Sequence, residues 1–429
     1  MRSHFLDNKL ASSATERSII IEGPSVLRGE VKIAGSKNAV LPILAATLLS
    51  AKKCTVRNVP HLSDISTMIS MLKHLGKKVT RQDSFVIIEE EGELLGEAPY
   101  NLVKKMRASV LVMGALAGRR RRIRIPLPGG CAIGTRPIDL HLKGLKKMGI
   151  KMDVSGGFVN LSSKGMKGAT VYLDFPSVGA TENLIMAACH AEGKTSIENA
   201  AREPEIYQLI EFLRAMGVVI EIEDNTITVE GCDSFDAVDF SVMDDRIQAG
   251  TYLIAGCLKN SKINMHYSHM EVLDSAIEKL TECGAEITVS GESLKCTAPA
   301  HLKNIEILTS PHPGFPTDLQ APMTSLMTMA EGVSLIKEDV FENRFLHCGE
   351  LIRMGADIEI KGNLSVIKGV KHLSGAPVTA LDLRGGASLI IAGLAAKGRT
   401  SITGIDHIER GYENIVGNLR KLGAKIWME

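Results

Sequence analysis

"MLKHLGKKV" at residues 71–79 ends an amphipathic stretch on Gly76 and passes straight into a β-like run. The pattern returns as "GLKKMGIKM" (144–152), "FLRAMGVVI" (212–220), "KLTECGAEI" (279–287), "LIRMGADIEI" (351–360) and "NLRKLGAKI" (418–426). The shared glycines, Gly76, Gly149, Gly217, Gly284, Gly355 and Gly423, stand 67 to 73 residues apart. That spacing is too regular for coincidence and longer than the roughly 20 to 50 residues of common solenoid repeats. The chain reads as six copies of one unit, each with a helix that stops on a left-handed glycine.

Upstream of Gly76, Ile65, Met68, Ile69, Leu72 and Leu75 fall at helical spacing and define one apolar face. A short strand such as "TVRNV" or "TSIENA" precedes that helix. Before the strand comes a helix that is apolar all round, as in "ASVLVMGALAG", "TENLIMAACHAEG", "AGTYLIAGCLKN", "APMTSLMTMAEG" and "GASLIIAGLAAKG". Such a helix is buried. Downstream of each glycine lies a strand or hairpin, for instance "KKVTRQDSFVIIEE". These readings predict an α/β fold with sheets outside and one helix per unit inside. Three units per domain divide the six evenly, giving 36–244 as one domain and 19–35 plus 245–429 as the other. "DFSVMDDRIQAG" is then the crossing between them, "SIIIEGPSVLRGEVKIAG" completes the second half's sheet, and residues 1–18 form a loose tail.

At 429 residues the chain is long enough for two domains with substantial cores. Fifty Lys and Arg nearly cancel 49 Asp and Glu, which removes the bulk attraction that nucleic-acid or anionic-membrane binding uses. Neither partner is expected, and any anion must be bound locally. The eight cysteines form no CxxC pair and follow no signal segment, so reduced thiols in a cytoplasm and no metal site are expected. The apolar run "NAVLPILAATLLSA" (38–51) is shorter than the ~18 to 20 residues that cross a bilayer. The basic run Arg119 to Arg122 reads as a solvated turn before a strand.

If the buried helices of each half run parallel, their N-termini converge on one end, where free N–H groups and the macrodipole favour anions. Lys37 and Asn38 open the first unit, Arg107 the second, and Asp382 and Arg384 the sixth. A cation at that position opposes the dipole, and three units sharing the anomaly point to one anion site. Asp318 opens the fifth unit, where it is either a helix cap or an acceptor facing the cations; position alone leaves both open. Arg344 and Arg410 each follow a short strand, on loops of the kind that carry α/β sites.

Cys131 stands apart from the other seven cysteines, which lie mostly in apolar periodic stretches. In "PLPGGCAIGTRPIDLH" (126–141) it sits among Gly129, Gly130 and Gly134, close to Arg136. A thiolate there is favoured and accessible, and a mobile loop over a cationic cleft is how lids complete a site. The residues therefore predict an enzyme that traps an anionic substrate between two domains.

The stretches "GSKNAVLPILAA", "MRASVLVMG", "PGGCAIGTRPIDLH", "SVGATEN", "ENAAREPEI", "PHPGFPTD", "FENRF", "DLRGGASL" and "RGYENI" follow one another in order. From about residue 20 to the C-terminus the chain resembles the UDP-N-acetylglucosamine enolpyruvyl transferases, also called 1-carboxyvinyltransferases. The resemblance implies an inside-out α/β barrel in two similar domains of three units. It implies transfer of the enolpyruvyl group of phosphoenolpyruvate to the 3-hydroxyl of UDP-N-acetylglucosamine, a step of peptidoglycan synthesis, with release of phosphate. No metal or organic cofactor is implied.

By the same resemblance Cys131 is the acid that protonates the methylene carbon, and the thiol that fosfomycin alkylates. Lys37, Arg136 and Arg410 hold the phosphate and carboxylate of phosphoenolpyruvate, with Arg107 and Arg384 adding to that field. Asp318 lies by the sugar 3-hydroxyl as the candidate base, a role that Asn38 shares. Arg136, Pro137, Ile138, Asp139 and Leu140, with Ser177, Val178 and Gly179, take the uridine and diphosphate, and Val340 sits beside the sugar. Phe175 and Pro176 stand where some members carry a lysine. Two rivals are a 5-enolpyruvylshikimate-3-phosphate synthase, which lacks the cysteine loop, and a non-catalytic protein that only binds a nucleotide sugar.

Overall fold

The computed structural model describes residues 17–127 and 138–429. Cys131, Arg136 and Pro137 lie outside the described residues, as do residues 1–16.

All six repeat glycines adopt positive φ, between 89° and 103°, so each amphipathic helix ends in the left-handed turn that its sequence predicts. In the first unit the buried helix Lys37–Ala46 leads to strand Cys54–Arg57, the amphipathic helix Ser63–His74, and the hairpin Lys77–Gln82 and Phe85–Glu90. The other units repeat this order around buried helices Val112–Ala117, Val178–Ala188, Arg246–Gly256, Gln320–Met327 and Leu383–Ala395. Every residue of Arg246–Gly256 is buried, as expected of a helix apolar on all sides. The second and fifth buried helices differ from expectation by opening with 3-10 turns, Arg107–Leu111 and Thr317–Leu319. At Gly114 an added Cβ would lie 2.1 Å from the backbone oxygen of Asn183, so the second and third buried helices meet backbone to backbone.

Each unit contributes one small sheet, and strands from other parts of the chain complete three of the six. Ile19–Gly23 inserts antiparallel between Gly398–Thr403 and Lys425–Met428 of the sixth unit. Arg28–Lys32 pairs in parallel with Lys262–His266 of the fourth unit, and Val238–Ser241 with Cys54–Arg57 of the first. The buried apolar side chains fall into two clusters. One is built from residues between Ala39 and Met243, the other from Ile19 to Ile33 together with Ile247 to Ile426. The chain crosses between them twice, side by side. Gly35 bridges Asp244, Ser36 N–H donates to the Met243 carbonyl at 2.8 Å, and Asp245 N–H donates to the Ala34 carbonyl at 2.8 Å.

Two features differ from the sequence expectations. Residues 17 and 18 are not part of a loose tail: Arg17 pairs with Asp406 and Glu409, and Ser18 exchanges two backbone hydrogen bonds with Glu429. The run from Arg119 is not simply a solvated turn. Arg119 reaches back to Glu90 at 2.7 and 2.9 Å, and Arg120 pairs with Glu93. Of the seven described cysteines, all free, six are buried and Cys232 is half-buried. Among the described residues no helix is long and apolar enough to cross a membrane.

Candidate active site

A cleft of about 880 Å³ lies between the two clusters, lined from both. The starts of the buried helices deliver its charged groups. Ser36 and Ser177 cap their helices by accepting the N–H groups of Ala39 and Ala180. Asp245 accepts those of Ile247 and Gln248, and Asp382 those of Arg384 and Gly385. With the N–H groups capped, the residues just beyond face the cleft: Lys37, Arg246 and Arg384. Asp382 lines the cleft but spends one carboxylate oxygen on two cap bonds of 2.9 Å.

Asp318 does not cap its helix. It accepts from Arg344 Nη2 at 2.7 Å and from Arg384 Nη2 at 2.8 Å, one guanidinium on each oxygen. The two arginine side chains are 3% and 4% exposed, whereas the Asp318 side chain keeps 25% of its surface open. Burial alone would push this carboxyl up; Arg384 and Arg344 outweigh it and hold it well below the usual carboxylate range. Arg344 Nε and Arg384 Nη1 are buried donors without a partner among the described residues. Glu338, fully buried, sets this corner by accepting from the Thr317 hydroxyl at 2.8 Å and from the N–H groups of Val340 and Phe341.

Across the cleft Asp64 serves two cations, Lys37 Nζ at 3.4 Å and Arg410 Nε at 2.9 Å. Burial lowers the pKa of the Lys37 amine, and Asp64 partly offsets that shift. The Asp64–Arg410 pair links the first unit to the sixth, 346 residues apart in sequence. A second bridge joins Arg246 to both oxygens of Glu205, at 3.0 and 3.2 Å. Beside it Glu182 is buried, and its carboxyl is pushed well above the ordinary value by burial and by Glu205 and Glu203.

Of the sequence-predicted residues, Lys37, Asn38, Arg107, Asp139, Leu140, Ser177, Val178, Gly179, Asp318, Val340, Arg344, Asp382, Arg384 and Arg410 line this one cleft. Ile138 instead packs in the first apolar cluster. Sequence reasoning passed over Asp64, Glu205 and Arg246. Arg246 was open to the same rule as Lys37, a cation at the start of a buried helix, but its segment reads first as a crossing between halves.

Known proteins match this chain over nearly its whole length. The family model for EPSP synthase (3-phosphoshikimate 1-carboxyvinyltransferase) matches residues 21–419. A UDP-N-acetylglucosamine 1-carboxyvinyltransferase of Myxococcus xanthus (strain DK1622) is 48% identical over 96% of this chain and 99% of its own. One of Carboxydothermus hydrogenoformans, named UDP-N-acetylglucosamine 1-carboxyvinyltransferase 2, is 50% identical over 95% and 98%. The chain belongs to the UDP-N-acetylglucosamine 1-carboxyvinyltransferase family.

Solved enolpyruvyl transferases share this family's fold at low identity. NikO from Streptomyces tendae superposes with a TM-score of 0.88 at 22% identity, over 96% of this chain and 99% of that one. EPSP synthase from Acinetobacter baumannii gives 0.74 at 17%, over 97% and 100%. The enolpyruvyl transferase fold that the resemblance implied, and with which the six-unit count agrees, is therefore the fold of this chain.

Proposed function

We propose that the protein moves the enolpyruvyl group of phosphoenolpyruvate onto the 3-hydroxyl of UDP-N-acetylglucosamine, releasing phosphate. The halves 36–244 and 19–35 plus 245–429 act as two domains closing on the substrates. The observation that carries this reading is the one cleft lined by Lys37, Arg107, Arg344, Arg384 and Arg410 together with Asp318, in a chain 46–50% identical to enzymes of that name.

Two anionic substrates need fixed positive charge, and preorganised charge usually contributes more than any other effect to such catalysis. Lys37 and Arg410 take the phosphate and carboxylate of phosphoenolpyruvate, and Arg107 and Arg384 add to the field. Addition requires a proton at the methylene carbon while the sugar oxygen, losing its own proton, bonds to the neighbouring carbon. Cys131 delivers the first proton and Asp318 accepts the second. Elimination of phosphate from the tetrahedral adduct, with loss of a methyl proton, restores the enol ether.

A carboxylate gripped by two guanidiniums is a weak base, so Asp318 gains basicity as substrate anions draw on Arg344 and Arg384.

The test is phosphate release from phosphoenolpyruvate with UDP-N-acetylglucosamine and, separately, with shikimate 3-phosphate. Release with the nucleotide sugar alone, lost in Cys131→Ala and after fosfomycin treatment, is expected. Release with shikimate 3-phosphate moves the assignment to the synthase that names the matching family model. Release with neither leaves a binding protein.

A further inference from the structure

Formal charge is divided unevenly between two neighbouring units. Residues 100–176, the second unit, carry 15 Lys and Arg against three Asp and Glu, whereas residues 177–244, the third, carry three against 14. The remainder of the chain is balanced, 32 against 32. The net charge of +1 therefore conceals a cationic unit beside an anionic one.

The cleft and local ion pairs account for only part of the cationic excess. Lys104, Lys105 and Arg107 line the cleft, and Arg119, Arg120 and Arg124 pair with Glu90, Glu93 and Glu97. Arg121, Arg122, Lys146, Lys151 and Lys164 are exposed and form no ion pair among the described residues. They gather at one end of the sheet built from Arg122–Pro126, Phe158–Ser162 and Lys151–Ser155. Arg122 and Lys151 stand on either side of Ser162. Ser163 N–H donates to the Arg121 carbonyl at 3.0 Å, which sets Lys164 beside them. A Cβ added at Gly149 would lie 4.0 Å from the Gly165 carbonyl, so the same loop rests on the segment between Lys146 and Lys151. Asp153, the single carboxylate on these three strands, is taken up by Ser155 and Asn160.

The third unit presents the opposite face. Glu221, Glu223, Asp224, Asp233 and Asp236 are exposed and form no ion pair among the described residues. Glu221 and Glu223 lie on the strand Val219–Glu223, with Asp224 in the turn that follows. Asp236 N–H donates to the Met216 carbonyl at 2.9 Å, which places that carboxylate where the strand begins. Both faces include an edge strand, Lys151–Ser155 in one sheet and Val219–Glu223 in the other. Each edge also exposes a valine, Val154 at 50% and Val219 at 54%.

We propose that the cationic face of the second unit docks on the anionic face of the third unit of a second copy of this chain. One half of the molecule carries both faces, so a two-fold axis between two copies brings each cationic face to the other's anionic face and closes the pair as a dimer. Charge complementarity selects this occupant: the chain itself supplies an anionic face whose excess matches the cationic one. At a net charge of +1 two copies also meet without overall repulsion. None of the ten charged residues lines the cleft, so the contact does not depend on the reaction proposed above.

The test is sedimentation velocity of the full-length protein from about 10 mM to about 1 M salt, over which the screening length falls from about 30 Å to about 3 Å. Wild type is expected to be dimeric at the low end, with a dissociation constant that weakens at least about tenfold across the series. R122E/K151E and E221K/E223K each spoil one face and should dimerise at least about tenfold more weakly than wild type at low salt, with melting midpoints close to it. Mixed in equal amounts, the two variants should associate more tightly than either does with itself, because the mixed pair keeps one contact intact. K262E/K295E makes the same change in net charge on the exposed sheet face of the fourth unit and should dimerise as wild type does.

A wild type that stays monomeric at low salt overturns the proposal. Its capture by immobilised polyglutamate would then give the cationic face to an acidic peptide, and its capture by phosphatidylglycerol vesicles would give it to a membrane. A dimer indifferent to salt or to both face variants overturns the proposal as well. So does a K262E/K295E protein weakened as much as R122E/K151E, since net charge and not the two faces would then be the cause.

Discussion

Replacing Asp318 by alanine leaves two guanidiniums, Arg344 and Arg384, facing each other with no carboxylate between them. Breaking a buried ion pair by removing one partner costs ~3–5 kcal/mol, and the quarter of Asp318 that is open to the cleft brings the expected loss to about 2–4 kcal/mol. For a cooperative unit of this size each kcal/mol moves the melting midpoint by roughly 2–4 °C, so Asp318→Ala should melt about 4–16 °C below wild type. The sign with pH follows from the depressed carboxyl. Its stabilisation is fully present above the unfolded value of about 3.9 and is lost only as pH falls through the lower folded value. The deficit should therefore be constant from pH 8 to about pH 5 and shrink in stronger acid. Calorimetric or fluorescence melts across that range, with Asp318→Asn alongside, measure it. Equal midpoints for wild type and Asp318→Ala at pH 7 would refute the claim that this carboxylate neutralises the pair. An Asp318→Asn enzyme with wild-type kcat would refute its role as base.

Three further outcomes are expected. Asp64→Asn removes the carboxylate that offsets the burial of Lys37, so the amine should lose its proton at lower pH and the alkaline limb of kcat/KM should move down; an unmoved limb would separate Lys37 from phosphate binding. Glu90→Gln strips the acceptor shared by Lys77 and Arg119, and with the Lys77 side chain 1% exposed the cost should be about 2–4 kcal/mol in denaturant titration at pH 7. Opposed by burial, Arg119 and Lys77 still lower the Glu90 carboxyl, so the wild-type advantage should fade only below about pH 4.3. Gly355→Ala meets open space and incurs left-handed strain of about 1–2 kcal/mol, whereas at Gly76 the added Cβ also strikes the Glu93 carbonyl at 2.6 Å. Gly76→Ala should be the less stable of the two, and matching midpoints would contradict the contact.

Much of the fold was legible because its signals are local. A glycine that ends a helix, an apolar stripe at helical spacing and a helix apolar on every side each report on a few consecutive residues, and six repetitions make the report redundant. The loci of Lys37 and Arg384 were readable for the same reason, since a cation at the start of a buried helix is anomalous in its own segment, whereas Asp318 read equally well as a helix cap. Arg246 carried the same signal and was passed over. Asp64 carried none, because an aspartate in the first turn of an amphipathic helix is ordinary there.

By itself the sequence determined the six-unit plan, the buried helices and the cluster of cations that needs an anion. Only the tertiary structure decided which charges meet. Asp64 holds Arg410 from 346 residues away, Glu205 holds Arg246, and Asp318 spans two arginines instead of capping its own helix. The physical reason is range: helix stops and apolar faces are set by backbone and burial preferences within one turn or two, whereas an ion pair depends on where two separately folded segments come to rest.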